Sequence, residues 1–427
     1  MNRTSEARTG GFKPVDCLKI TVLGFATTAL WQAMHTVILP LRLLDFVPEA
    51  DKNTYLGVLT FTGLLLATFI QPIAGAISDS SASGFGRRRP FIAIGVILML
   101  LFLPGIGLAG SYAAIFVVYC LLQISSNTVQ GPYQGLIPDL VPAGKRGLAS
   151  GVKSLVEITG GAIAVLLISV FMDRYSAGDG KIWLWLSLAI PGAVLFALML
   201  YTLAAVREKP CERSAPASLA STILGTFRIS FRSNRVFIWF LVSRALIFMA
   251  FSTLQQFALY FLEDVIGVAS PAAAAATFSV VAVAGMLIAV YPAGRLSDKI
   301  GRRPVGIASG VLMALAMLMI LFTRQYGVVL AAAGLIGAAV GAFTSANWAL
   351  ATDLVVKGEE ARYLGLANMA TAGGGALSRL IGPVITFFNG VGPNMGYRAM
   401  LIACFVYCVL GAFILFRLKP ASSSQYR

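Results

Sequence analysis

The sequence predicts an all-α membrane protein with twelve transmembrane helices in two pseudo-symmetric six-helix bundles. Three observations predict it: the composition, the number of long apolar runs, and landmarks that recur at a fixed offset. Of the 427 residues, 58% are hydrophobic and only 12% are charged, against about 25% charged in soluble domains. A water-soluble core with a polar shell cannot be built from that mixture. The 43 glycines suit helices that approach closely in lipid.

A bilayer core is crossed by about 20 apolar residues in helical form. Runs of that kind lie near 18–40, 54–78, 90–109, 112–137, 148–172, 182–206, 236–262, 272–294, 304–322, 326–351, 364–389 and 397–417. The first run is long enough to span and many others follow it, so it does not read as a cleavable leader. The expected organisation is a tail over 1–17, a six-helix bundle over 18–206, a linker over 207–235, a second bundle over 236–417 and a tail over 418–427. The linker is the longest polar segment and holds Pro210 and Pro216.

The net charge of +15 is placed on one side. With the N-terminus inside, inner segments carry 24 Lys/Arg, outer ones 6 and the spans 3. That asymmetry predicts both termini in the cytoplasm of a multi-pass plasma-membrane protein. The partner of the basic loops is then the lipid bilayer rather than nucleic acid. The five cysteines form no Cys-x-x-Cys pair and have no accompanying histidine, so neither a metal nor another cofactor is expected. There is no nucleophile elbow, no phosphate loop and a single histidine, which speaks against an enzyme.

The halves repeat one another. Gly75-Ala-Ile-Ser78-Asp79 recurs as Gly294-Arg-Leu-Ser297-Asp298, an offset of 219. Each is followed by a basic turn, Gly86-Arg87-Arg88-Arg89-Pro90 and Gly301-Arg302-Arg303-Pro304. Asp139-Leu140-Val141 recurs as Asp353-Leu354-Val355 at an offset of 214, where Gly151 also matches Gly365 and Gly160-Gly161 match Gly374-Gly375. Duplicated six-helix repeats are a transporter architecture.

The doubled Gly-x-x-Ser-Asp…Gly-Arg-Arg loop resembles the loop signature of the major facilitator superfamily, over nearly the whole chain. A narrower likeness is carried by Gln71-Pro72-Ile73-Ala74-Gly75 with Gly86 to Ile92, and by Asn127 with Gln130-Gly131-Pro132, Leu136 and Asp139-Leu140. These segments are similar to the sucrose/proton symporters, cousins of the glycoside–cation symporters. The resemblance implies alternating access, a small-molecule substrate, a coupling proton and a chain able to work as a monomer. One departure stands out: where sucrose symporters carry an Asp and an Arg in span four, this chain has Gln123 and Gln134. That points away from sucrose itself.

Charged residues inside spans are costly and therefore functional candidates. Glu157 sits roughly 14 Å into span five at the helical rise. A carboxyl group in a low-dielectric setting can exchange a proton near neutral pH. Lys153, one turn earlier, can instead hold Glu157 in a permanent ion pair. His35 is the second proton-coupling candidate. Arg244 in span seven can offer its planar fork to an anionic or hydroxyl-rich solute, or snorkel to headgroups. Arg379 in span eleven is expected to pair within the bundle. Trp31, Gln32, Asn127, Gln130, Tyr133, Gln255, Gln256, Asn347 and Trp348 supply amides and aromatic platforms from spans one, four, seven and ten. They read either as substrate contacts or as helix-to-helix hydrogen bonds. Gly75, Asp79, Arg87, Arg88, Gly294, Asp298, Arg302 and Arg303 are expected to govern conformational switching. The leading functional reading is a proton-coupled transporter of a sugar or glycoside. An exporter of amphipathic or lipid-related compounds, and a receptor that moves nothing, remain as alternatives.

Overall fold

The computed structural model describes residues 14–79, 81, 85–206, 208, 235–354 and 360–418. The linker and both tails therefore lie almost wholly outside the described residues. The described chain is helical, with no strand among its elements.

Ten helices are long and apolar enough to cross a membrane, and half or less of each one's apolar window is buried within the protein. The remaining faces carry large exposed side chains, such as Ile288 at 75%, Leu101 at 66% and Phe416 at 62%. Such surface is stable only against lipid. The first and eleventh expected spans complete the twelve, and both are interrupted. The first runs through α1 (Pro14–Thr21), α2 (Leu23–Ala33), a π turn (Met34–Ile38) and α3 (Leu39–Leu43). Pro40 has no N–H to offer the Thr36 carbonyl, and the Leu39 N–H reaches five residues back to Met34. The eleventh runs through α14 (Glu360–Leu377), a 3₁₀ turn (Ser378–Leu380) and α15 (Ile381–Val391). Here Pro383 leaves the Arg379 carbonyl without its helical donor.

Between them lie α4 (Lys52–Asp79), α5 (Arg89–Phe102) with α6 (Pro104–Leu108), α7 (Tyr112–Leu140), α8 (Arg146–Ser176) and α9 (Ile182–Ala205). After the linker come α10 (Arg235–Phe261), α11 (Pro271–Ile300), α12 (Arg302–Phe322), α13 (Tyr326–Asp353) and, last, α16 (Met395–Arg417). Contacts divide the chain into two compact units, Met1–Leu41 with Leu65–Gly225, and Arg42–Leu64 with Thr226–Arg427. The second unit thus takes in the end of α3 and the first part of α4.

In the first unit, α8 crosses α2 at Gly160, where an added Cβ would lie 2.5 Å from the Phe25 carbonyl oxygen. In the second, α14 crosses α10 at Gly374, where a Cβ would lie 2.5 Å from the Ala245 carbonyl oxygen. The repeated glycine pair therefore makes the same close crossing twice. The basic turns also repeat in detail. Gly86 and Gly301 sit at φ 106° and 96°, a left-handed backbone that side chains disfavour. Counted from Pro90 and Pro304, Arg88 answers to Arg302 and Arg89 to Arg303. Arg88 donates to the Pro132 carbonyl, two turns inside the end of α7, and Arg302 to that of Ala349, near the end of α13. Arg89 donates to the Leu203 carbonyl and Arg303 to those of Leu415 and Phe416, at the ends of α9 and α16. A guanidinium at a helix C-terminus satisfies orphan carbonyls and complements the helix dipole.

Candidate functional site

Three clusters concentrate the polar chemistry, and each lies within one unit. In the first unit, the π turn brings His35 against Trp31, with ring centroids 5.2 Å apart. π turns often mark functional positions. His35 Nε2 lies 2.9 Å from the Tyr119 hydroxyl on α7, and Gln123 Nε2 donates to that hydroxyl at 2.8 Å. Asn127 donates onward to the Gln123 carbonyl at 2.8 Å, while the Trp31 indole donates to Ser126 Oγ at 2.6 Å. A continuous polar network thus runs from α2 along α7. Gln32 donates to Thr36 at 3.2 Å, and Gln130 is half-buried one turn beyond Asn127. Tyr119 and Gln123 were absent from the sequence-derived candidates.

The same unit holds the Glu157 carboxylate, on α8. Lys153 Nζ lies 2.8 Å from Glu157 Oε1, and the ammonium stands 5.7 Å from the centroid of the Tyr133 ring. Tyr133 in turn accepts the Gly24 N–H at 3.0 Å and donates to the Thr21 carbonyl at 2.7 Å. Gly24 is required here, since a Cβ would fall 2.6 Å from the tyrosine oxygen and 2.8 Å from Glu157 Oε1. The carboxylate, ammonium and phenol therefore share one tight space where α2, α7 and α8 meet.

In the second unit, Arg244 is 3% exposed. Its Nε donates to the Ala367 carbonyl at 3.1 Å and to Thr371 Oγ1 at 2.8 Å, and Nη1 donates to Asn347 Oδ1. The guanidinium lies 5.2 Å from the Phe248 ring and 5.5 Å from that of Trp348. Gln256 is buried, and neither of its amide atoms has a partner among the described residues. Gln255 lines a cavity of about 150 Å³ with Phe251, Phe278 and Met286. Arg379 donates to the Ser252 carbonyl at 3.2 Å and to Ser378 Oγ at 2.8 Å.

The third cluster was missed by sequence reasoning. Lys52, 2% exposed, lies 2.7 Å from Asp264, 3.3 Å from Glu263 and 3.7 Å from Glu49. Asp264 also accepts the Tyr397 O–H, and Asn53 donates to that hydroxyl at 3.2 Å. A π turn over Leu262–Ile266 carries both acids. The start of α4 is thereby tied to the end of α10 and the start of α16.

Of the residues expected to govern switching, Arg87 and Arg88 converge on two carboxylates. Asp139 accepts from both, at 2.6 Å from Arg87, while Asp79 takes Arg88 at 2.9 Å. Asp79 is the more exposed, at 56% against 31%. Asp139→Asn is therefore expected to lower transport more than Asp79→Asn, as initial uptake rates in proteoliposomes will show. Gly135 makes room for Arg88, because a Cβ there would overlap its guanidinium. Gly75 faces Gly131 at ordinary contact distance, and Gly131 is the tighter position, with a Cβ 2.4 Å from the Gln71 carbonyl oxygen. Gly294 faces Ser345 and Asp298 is exposed.

Comparison with known proteins places these clusters in a family. Alpha-ketoglutarate permease of Escherichia coli is 26% identical over 293 residues, 66% of this chain and 65% of that protein. A sucrose transport protein of Arabidopsis thaliana is 28% identical over 140 residues, 28% of each chain. The match thus spans less than two thirds of either relative. Among solved structures, the nucleoside transporter NupG superposes with a TM-score of 0.74 at 18% identity, covering 94% of this chain and 98% of that one. A D-xylose-proton symporter gives 0.69 at 17% identity, covering 95% and 97%. These share the fold. The sequence matches the family described as MFS/sugar transport protein over residues 23–418. The chain is a multi-pass membrane protein and belongs to that MFS/sugar transport family.

Proposed function

We propose that this chain is a plasma-membrane symporter that takes up a small polar solute of the sugar or glycoside type with a proton, by alternating access. The observation that carries the reading is the Trp31–His35–Tyr119–Gln123–Asn127 network together with the Lys153–Glu157 pair of the same unit. Aromatic faces with convergent amides and hydroxyls suit a ligand that presents both C–H faces and hydroxyl groups. The sucrose and xylose relatives carry such solutes by name. Trp31, Gln32, Asn127, Gln130 and Tyr133 in the first unit are candidates for solute contact, as, taken separately, are Arg244, Gln255, Gln256, Asn347 and Trp348 in the second.

Glu157 is assigned as the proton-accepting group. Its carboxylate has two stable partners available, the Lys153 ammonium or a proton. Exchange between them changes the charge facing Tyr133 and Gly24. Both termini and the Arg88 turns are assigned to the cytoplasm, and the Lys52 cluster to the outer face. The Arg87–Arg88–Asp79–Asp139 group and the Lys52–Glu263–Asp264 group then act at opposite ends of the cycle.

The test is uptake of labelled sugars and glycosides into proteoliposomes, with and without an inward proton gradient, for wild type and Glu157→Gln. Accumulation driven by the gradient and lost in the variant is the expected result. Accumulation that survives Glu157→Gln moves the proton to His35. Absence of any uptake across the panel overturns the symporter reading.

A further inference from the structure

Arg244 carries a full positive charge into the second unit and meets no carboxylate among the described residues. Its hydrogen bonds there are all to neutral groups: the Ala367 carbonyl, Thr371 and Asn347. No salt bridge among the described residues includes it, although it is only 3% exposed. By contrast, Lys52 and Lys153 each have an acid within 3 Å. A buried charge without a counter-charge is strongly unfavourable unless something neutral or anionic completes its shell.

A second observation points the same way. Asn347 is 2% exposed, and its Oδ1 accepts from Arg244 Nη1, which identifies the other terminal atom as the amide nitrogen. That nitrogen has no acceptor in the structure. A buried donor therefore sits on the side chain joined to the guanidinium, with its acceptor missing among the described residues. Trp348 and Phe248 lie beside the guanidinium at 5.5 and 5.2 Å from ring centroid to Cζ. Their faces can flank a ligand without competing for its polar end.

We infer that the transported solute carries a carboxylate, and that Arg244 with Asn347 receives it. The inference rests on the polar-solute reading of the same site and narrows its chemistry to an acid, such as a sugar acid or glycoside acid. One guanidinium edge matches one carboxylate in charge and in planar geometry. A phosphate dianion needs a second cation, which this cluster does not supply. A neutral sugar leaves the charge of Arg244 uncompensated.

The experiment uses the full chain in proteoliposomes and three matched pairs: methyl glucoside with glucuronate, galactose with galacturonate, and glycerol with glycerate. Glucose 6-phosphate is added as a fourth probe. Initial uptake is measured together with the shift in melting temperature of the detergent-solubilised wild type. The expected result is uptake of at least one acid at about tenfold or more the rate of its neutral partner, with a melting shift for the acid alone. Arg244→Gln is expected to abolish that preference, and Arg244→Lys to restore part of it. The wild-type preference needs no variant, so a misfolded Arg244→Gln leaves the test intact. A neutral sugar taken up in preference to its acid overturns the carboxylate inference and leaves the symporter reading standing. Preference for the phosphate overturns the assignment of the acid group. No response to any probe overturns the polar-solute reading, and this inference falls with it.

Discussion

Replacing Lys52 with methionine is expected to destabilise the second unit by about 3 kcal/mol, roughly a hundredfold in the equilibrium it holds. The ammonium is almost wholly buried and is the shared counter-ion of Asp264 and Glu263, at 2.7 and 3.3 Å. Removing it leaves two neighbouring acids at the end of α10 facing one another, 21% and 31% exposed. Partial exposure keeps the cost below that of fully buried ions. Lys52 also stands 4.8 Å from the centroid of the Tyr260 ring, so the stem and charge both pack. Methionine keeps the stem and deletes the charge, which isolates the electrostatic part. Melting of the purified protein and initial uptake should both fall, uptake by tenfold or more. Adding Glu263→Gln and Asp264→Asn to Lys52→Met should recover most of the stability, because the repulsion is gone. A single Lys52→Met variant with unchanged melting and uptake excludes a holding role for this cluster.

Alanine at Gly160 or Gly374 is expected to cost about 2 kcal/mol each, with parallel loss of transport. The helix-propensity difference alone favours alanine by about 1 kcal/mol. Against it stands a Cβ placed 2.5 Å from a backbone carbonyl oxygen of the crossing helix. Backbone cannot rotate aside as a side chain can, so α8 must lift from α2, or α14 from α10. Overpacking of this kind costs about 1–3 kcal/mol, and rigid helices place it toward the upper end. Gly151 and Gly365 supply the internal control, since a Cβ at either has nothing within 4 Å. Gly151→Ala and Gly365→Ala should leave melting unchanged or raise it slightly. Equal effects at all four positions would mean that the crossings do not set the stability.

Much of this architecture is written in local sequence. Apolar runs locate the spans because each must satisfy its own backbone in lipid, and the interruptions fall where Pro40 and Pro383 withhold a donor. The repeat at an offset of 214 locates Gly160 and Gly374, whose jobs prove identical. The Lys52 cluster is illegible in the same way. Its partners lie 211 and 212 residues along the chain, and a lysine at a helix start with acids nearby reads as ordinary loop charge. Tyr119 escaped because an aromatic on an apolar helix looks like packing until His35 is placed against it, and Gln123 reads from sequence only as a missing charge. Arg89 escaped for a register reason. The first basic turn has one arginine more than the second, so counting from the glycine pairs the wrong residues, and counting from the proline pairs the right ones.

The arginine caps on α9 and α16 have a consequence for the order in which the protein assembles. Arg89 opens α5, yet the carbonyl it grips belongs to Leu203, and Arg303 opens α12 while gripping Leu415 and Phe416. During synthesis each arginine emerges more than a hundred residues before its acceptor. Three helices of each half must therefore enter the bilayer and wait, with a charged side chain still hydrated, until the last helix of that half is complete. Closure of each half is thus registered by the final turn of its own last helix, α9 in the first and α16 in the second.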